Sequence, residues 1–196
     1  MTSVGDDLQY KVVVVGDSGV GKTSILNRIA NGTFYEMTTS TVGAAFLNYT
    51  AEHKGSQLSI KLWDTAGQEK FQSLLPLYLR NASIALFVVD CSNSDTIEES
   101  GKYLELLHST LPPDAVVFFV VNKTDLMEEN DITVIEKLRK WGEDNSMVSF
   151  DVSAKEGTGI ELLKDKIALE CVRVMEKRKQ LQASSLKTSK SSSECC

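Results

Sequence analysis

The sequence predicts an α/β fold: a six-stranded, mostly parallel sheet with one antiparallel edge strand and helices on both faces. Three observations carry this. Apolar runs without alternation, such as 84–89 (Ile-Ala-Leu-Phe-Val-Val) and 116–121 (Val-Val-Phe-Phe-Val-Val), mark strands buried on both sides. Segments of helical spacing separate them, as parallel connections require. The third is Gly16-Asp17-Ser18-Gly19-Val20-Gly21-Lys22-Thr23, which fits G-x-x-x-x-G-K-[ST] directly after the apolar run 12–15. A strand-to-helix turn is where that pattern has physical meaning.

Residues 10–15 read as the first buried strand, and the glycine-rich turn carries it into a helix over 23–29 that ends near Asn31-Gly32, a good stop signal. A polar, threonine-rich loop spans 32–41. Strands at 45–50 and 58–64 follow, joined as a hairpin through Lys54-Gly55. Leu58, Ile60 and Leu62 share the core face, so Trp63 lies with Ser59 and Lys61 on the other, and Phe46 lies with Asn48 and Thr50. Two large aromatics thus stand on the polar side of one hairpin, either covered by a helix or loop or exposed as a partner-binding patch.

Asp64-Thr65-Ala66-Gly67-Gln68-Glu69 opens a loop that runs to a short helix at 74–80. A strand at 84–89 precedes a helix over 96–111, with Ile97, Leu104 and Leu107 inward and Pro112-Pro113 as its breaker. The strand at 116–121 is followed by an amphipathic helix at 133–143, with Val134, Leu138 and Trp141 on one face, and a sixth strand at 147–152. A last helix covers 159–179, its stripe made of Ile160, Leu163, Ile167, Cys171 and Val174, so Cys171 reads as a packed thiol. From Lys177 onward Ser, Lys and Gln dominate. The expected organisation is an extension at 1–9, one domain at 10–179 and a disordered tail at 180–196.

Bulk properties exclude several classes. With 21 Lys and Arg against 27 Asp and Glu, the net charge of −6 gives no attraction to nucleic acid. No apolar run has the length of a membrane span, and residues 1–9 lack the layout of a secretory leader, so a cytosolic chain is expected. Cys91 and Cys171 stand alone and Cys195-Cys196 close the chain, which supports neither a zinc site nor a disulfide framework. His53 and His108 read as ordinary surface or helix residues.

In sheets of this kind ligands sit beyond the carboxyl ends of the strands, and each polar motif falls at such an end. At Ser18, Gly19, Val20 and Gly21 the backbone can turn its N–H groups toward phosphate oxygens, and the helix behind presents its positive end to the same anion. Lys22 would reach the outer phosphates, and the Thr23 hydroxyl, ahead of Ser24, would ligate Mg²⁺. Asn122-Lys123-Thr124-Asp125 follows the fifth strand and Ser153-Ala154-Lys155 the sixth. The Asp125 carboxylate can accept hydrogen bonds from guanine N1–H and its 2-amino group together. Adenine offers no such pair, so the wrong base would leave a buried charge unpaired.

With these motifs in this order, the chain resembles a small GTPase of the Ras superfamily, and specifically a Rab, over about residues 10–179. The resemblance implies GTP and GDP as substrate and product with Mg²⁺ as cofactor. It places Phe34 at the edge of guanine, Lys123 along its face, and the Ala154 N–H on its 6-oxo group. Thr41, in Ser40-Thr41-Val42-Gly43, matches the first-switch threonine that reaches Mg²⁺ when a γ-phosphate is present, and Asp64 matches the magnesium-side aspartate. Gly67 matches the glycine that senses the γ-phosphate, and Gln68 the glutamine that orients the attacking water. Phosphoryl transfer needs positioning and charge neutralisation more than covalent help, so Lys22 and Gln68 are the expected catalytic pair. No arginine occurs in either switch loop before Arg80, which implies slow intrinsic turnover raised by an activating protein.

Phe46 and Trp63, with Tyr78, correspond to the patch on which Rabs meet their effectors. Cys195-Cys196 resembles the double-cysteine ending that carries two geranylgeranyl groups, and two chains anchor stably where one does not. The implied protein is a monomer that works with an exchange factor, an activating protein, effectors and a prenyl-protein chaperone, peripheral on the cytosolic face of intracellular membranes. The run Gly43-Ala44-Ala45-Phe46 resembles the early-endosomal subgroup, which implies vesicle traffic there. Lys70 stands where arginine is usual, and Leu79 and Asn81 stand where tyrosine and glycine are common. A nucleotide-holding module of the same fold without turnover is the alternative from another class.

Overall fold

The computed structural model describes residues 10–37, 39–93, 96–127 and 132–191. Strand β1 (Tyr10–Val15) sits mid-sheet because every second side chain faces a different helical layer. Around it lie β2 (Ala44–His53), β3 (Ser56–Thr65), β4 (Ile84–Asp90), β5 (Val116–Asn122) and β6 (Val148–Asp151), in the order β2-β3-β1-β4-β5-β6. β2 pairs antiparallel with β3, and the other pairings are parallel. Among the described residues four α-helices connect them, α1 (Lys22–Asn31), α2 (Leu75–Leu79), α3 (Thr96–Thr110) and α4 (Ile132–Asp144), and α5 (Ile160–Ser191) follows β6.

The expected parity holds. Val12 and Val14 join Ile60, Leu62, Ile25, Leu26 and the α5 residues Ile160, Leu163, Ile167 and Cys171 in one core layer. Val13 and Val15 join Leu79, Phe87, Leu107, Phe119 and Leu138 in the other, where Phe87 meets Phe119 edge to face at 5.5 Å. Leu104, Val134 and Trp141 pack against this second layer; the side chain of Ile97 lies outside the described residues. All seven residues of β4 are buried, which explains its unbroken apolar sequence. The hairpin turns through Lys54 at φ 49 and Gly55 at φ 76, with His53 paired to Ser56. Two left-handed residues in a two-residue loop match the twist of the strands.

Two expectations need correction. The segment expected as a loop and then a helix at 74–80 forms a 3₁₀ turn over Glu69–Leu74 before α2, with Pro76 near the start of that helix. The last helix does not stop near Lys179; its backbone runs to Ser191. No glycine or proline interrupts residues 160–191, and Leu, Lys, Gln and Ala are strong helix formers, so polarity alone was the wrong reason to end it. The extension at 1–9 and Cys195-Cys196 lie outside the described residues. Asn81, where glycine is usual, takes φ 61, a left-handed turn that Asn tolerates better than most residues.

Candidate functional site

The carboxyl ends of β1, β3, β5 and β6 surround a cleft of about 370 Å³, a size that suits a bound nucleotide. It is lined by Ser18, Gly19, Gly21, Lys22, Thr23 and Ser24 from the first turn, by Phe34, Tyr35 and Thr41 from the loop after α1, by Gly67 and Gln68, and by Asn122, Lys123, Asp125, Ala154 and Lys155. Residues up to 137 positions apart in sequence thus share one cavity. Gly21 sits at φ 95, and a Cβ there would collide with the Asn122 amide nitrogen, so this turn tolerates no side chain. No side chain caps α1, which leaves its first-turn amides free for an anion.

Lys22 is 6% exposed, and its ammonium donates to the carbonyls of Gly16 at 2.9 Å and Asp17 at 2.6 Å. Burial pulls it down to about 8, although Asp64 and Asp17 act the other way. A cation held this way gains from meeting phosphate oxygens. Gly67 abuts it: a Cβ on Gly67 would press on Lys22 Nζ and come within 2.5 Å of the Asp17 carbonyl. The segment carrying Gly67 also meets the loop after α1, through the Ala66 N–H, which donates to the Gly43 carbonyl at 2.9 Å.

Three oxygens converge beside Lys22. Thr23 Oγ1 donates to Asp64 Oδ2 at 2.7 Å, Thr41 Oγ1 to the same oxygen at 3.1 Å, and the two hydroxyls lie 3.1 Å apart. The other Asp64 oxygen is buried with no hydrogen-bond partner. Burial raises the Asp64 carboxyl above the usual carboxylate range, against the opposing pull of both threonines and Lys22. A hard, all-oxygen set with an orphaned carboxylate oxygen fits Mg²⁺, which takes few protein ligands and completes its shell with water and phosphate. Among the described residues no cluster of His, Cys, Asp and Glu makes an all-protein metal cage.

At the far end, Ser153 Oγ donates to Asp125 Oδ1 at 2.6 Å and is itself fully buried, so Ser153 orients the aspartate rather than lining the cleft. Asn122 likewise works as a brace: its amide donates to the Val20 carbonyl at 2.8 Å and its oxygen accepts the Ala154 N–H at 3.1 Å. The Ala154 amide expected on a base is therefore engaged already and must be shared. Val20 is buried, and its carbonyl, not its side chain, serves the site. Lys123, at φ 67, pairs with Asp90 at 2.6 Å while its stem lines the cleft.

Sequence reading missed Arg28, Asp90 and the surroundings of Asp17. The Asp17 carboxylate accepts from Tyr103 at 3.0 Å and pairs with Lys102 at 3.1 Å, both on α3, and Tyr103 also meets Gln72 at 3.5 Å. No spacing in the chain announces such partners. Cys91 and Cys171 are buried and pushed up to about 12, which removes them as nucleophiles. On the hairpin, Phe46 lies 5.7 Å from Trp63 and Trp63 5.9 Å from Tyr78. Tyr78 packs on Trp63, while Phe46 stays 50% exposed.

A sequence profile of the Ras family matches residues 11–173. The chain belongs to the Ras family. It is 34% identical to the Ras-related protein Rab5 of Nicotiana tabacum over 79% of this chain and 77% of that one. It is also 34% identical to the Ras-related protein RHN1 of Nicotiana plumbaginifolia over 85% and 83% of the two. The protein is thus a Rab-type small GTPase, a GTP hydrolase that binds GTP and GDP with Mg²⁺. The module without turnover falls away.

Proposed function

We propose that this Rab-type GTPase is a lipid-anchored switch for vesicle traffic on endosomal membranes. The observation that carries the switch is the meeting of Thr41 with Thr23 and Asp64 within 3.1 Å, which brings the loop after α1 to the phosphate end of the cleft. Thr23, Thr41 and Asp64 would hold Mg²⁺, which when bound neutralises charge on phosphate oxygens. Lys22 and the first-turn amides of α1 stabilise the negative charge of the transferring phosphoryl group. Gln68, at the rim of the cleft, orients the attacking water. Asp125, held by Ser153, reads the guanine edge, while Phe34 and Lys123 flank the base.

Loss of the terminal phosphate frees the loops carrying Thr41 and Gly67, and the row of Phe46, Trp63 and Tyr78 between them reports the change to effectors. Exchange and activating proteins set the two rates. Two prenyl groups on Cys195 and Cys196, shielded in transit by a chaperone, supply membrane affinity. The Gly-Ala-Ala-Phe run and the two Ras-related relatives support the endosomal address. One experiment tests the whole: cells expressing the wild type, Gln68→Leu, and a form lacking Cys195 and Cys196, imaged beside an endosomal marker. Gln68→Leu should retain GTP and accumulate on the membrane, and the truncated form should be diffuse. Membrane binding that survives truncation, or wild-type turnover in purified Gln68→Leu, would refute it.

A further inference from the structure

Arg28 lies on α1, outside the phosphate turn, and spends its guanidinium on three backbone carbonyls. Nε donates to Ala154 at 2.9 Å, Nη2 to Lys155 at 2.5 Å and Nη1 to Gly32 at 2.7 Å. Ala154 and Lys155 form one wall of the base end of the cleft. Gly32 ends α1, and two residues on Phe34 also lines the cleft. The Gly32 N–H in turn donates to the Arg28 carbonyl at 3.1 Å, closing the link. One planar fork therefore ties the C-terminal end of α1 to the loop after β6, above the core layer that the two share.

The geometry is selective. Arginine presents five donors in a rigid plane and can satisfy three separate acceptors at once, whereas lysine offers a single point of attachment. The two peptides flanking the Ala154 Cα are each held: the Ser153–Ala154 peptide donates its N–H to Asn122, and the Ala154–Lys155 peptide accepts Arg28 at its carbonyl. Two consecutive held peptides fix the backbone frame that carries the Ala154 N–H, and preorganised donors lose least on binding.

We propose that Arg28 is the positioning residue of the base pocket: by holding the Ala154 and Lys155 carbonyls it fixes the backbone frame from which the Ala154 N–H meets the 6-oxo group of guanine, and thereby sets how long the nucleotide stays. The inference rests on the reading of this cleft as a guanine site. It assigns Arg28 no contact with nucleotide.

The test compares release by stopped flow of two diphosphates that carry the same N-methylanthraniloyl fluorophore on the ribose, GDP and its 2-aminopurine analogue, which lacks the 6-oxo group and the N1 proton. Wild type, Arg28→Lys and Arg28→Ala are loaded with each. Loss of hydrogen bonds to a charged group predicts that Arg28→Ala releases GDP about tenfold faster or more, with the analogue changed by less than about threefold. Arg28→Lys should fall between, because one carbonyl stays engaged. GDP release within about twofold of wild type in both variants overturns the proposal. So does equal acceleration of both ligands, which would mean that Arg28 merely stabilises the fold. Should Arg28→Ala fail to fold, the same ratio in Arg28→Lys decides. Wild type that holds ADP as well as GDP would instead sink the guanine reading itself.

Discussion

Asn122 holds two loops with one side chain, and its removal gives a measurable cost. The residue is 2% exposed. Asn122→Ala leaves the Val20 carbonyl without the amide at 2.8 Å and the Ala154 N–H without the oxygen at 3.1 Å. Each buried polar group stranded this way costs about 1–3 kcal/mol. The two sum to about 2–6 kcal/mol, and because Ala154 lines the open cleft, where water can reach its N–H in part, the low end of that range, about 2–3 kcal/mol, applies. In a domain of this size each kcal/mol moves Tm by about 2–4 °C, so thermal unfolding of the nucleotide-free protein should fall by about 4–12 °C. If the same energy is lost from the GDP complex, release should quicken about thirtyfold to hundredfold, at about 1.4 kcal/mol per factor of ten. Asn122→Asp separates the causes. It keeps the volume but sets an oxygen against the Val20 carbonyl, and should be at least as harmful as alanine. A variant that melts within about 1 °C of wild type and releases GDP at the wild-type rate would refute the bracing role.

Two further outcomes follow from the charges at the phosphate end. Burial lowers Lys22 to about 8 from 10.5, so between those values the unfolded chain holds a proton that the folded chain has lost. Stability of the nucleotide-free protein therefore gains from this group as pH rises through that window, and the burial penalty is fully present below it. Phosphate oxygens favour the ammonium. Calorimetry of GDP binding near pH 8.5 in buffers of different ionisation enthalpy should show uptake of up to about one proton, fading toward pH 6.5, and buffer-independent heats would refute it. Chelating Mg²⁺ should speed GDP release by about 10–100-fold in the wild type and far less in Asp64→Ala, measured side by side; an equal response would remove Asp64 from the metal set.

Most of the fold was legible because burial on two faces leaves a pattern in the residues themselves. Val12 to Val15 must be apolar throughout, and the parity of Leu58, Ile60 and Leu62 fixes where Trp63 points. The phosphate turn was legible for a different reason: backbone approach demands glycine, as Gly21 against Asn122 shows. What stayed hidden were side chains acting on peptide groups, since any residue supplies a carbonyl. Arg28 reaches Ala154 across 126 positions and nothing at either end marks the contact. Ser153 reads as a nucleotide ligand from its place beside Ala154 and Lys155; only geometry turns its hydroxyl to Asp125. The end of α5 was misread because a polar sequence without breakers suits a solvated helix as well as a coil.

The carboxylate of Asp17 belongs to a loop built to welcome anions, where it ought to repel them. Helix α3 supplies the insulation, a phenol and an ammonium that draw the oxygen aside, the phenol from 86 positions downstream. Grafting the eight-residue loop onto a foreign sheet would therefore import the repulsion without its remedy. The electrostatics of this anion cradle are written in two distant places, and only the assembled domain reads them as one.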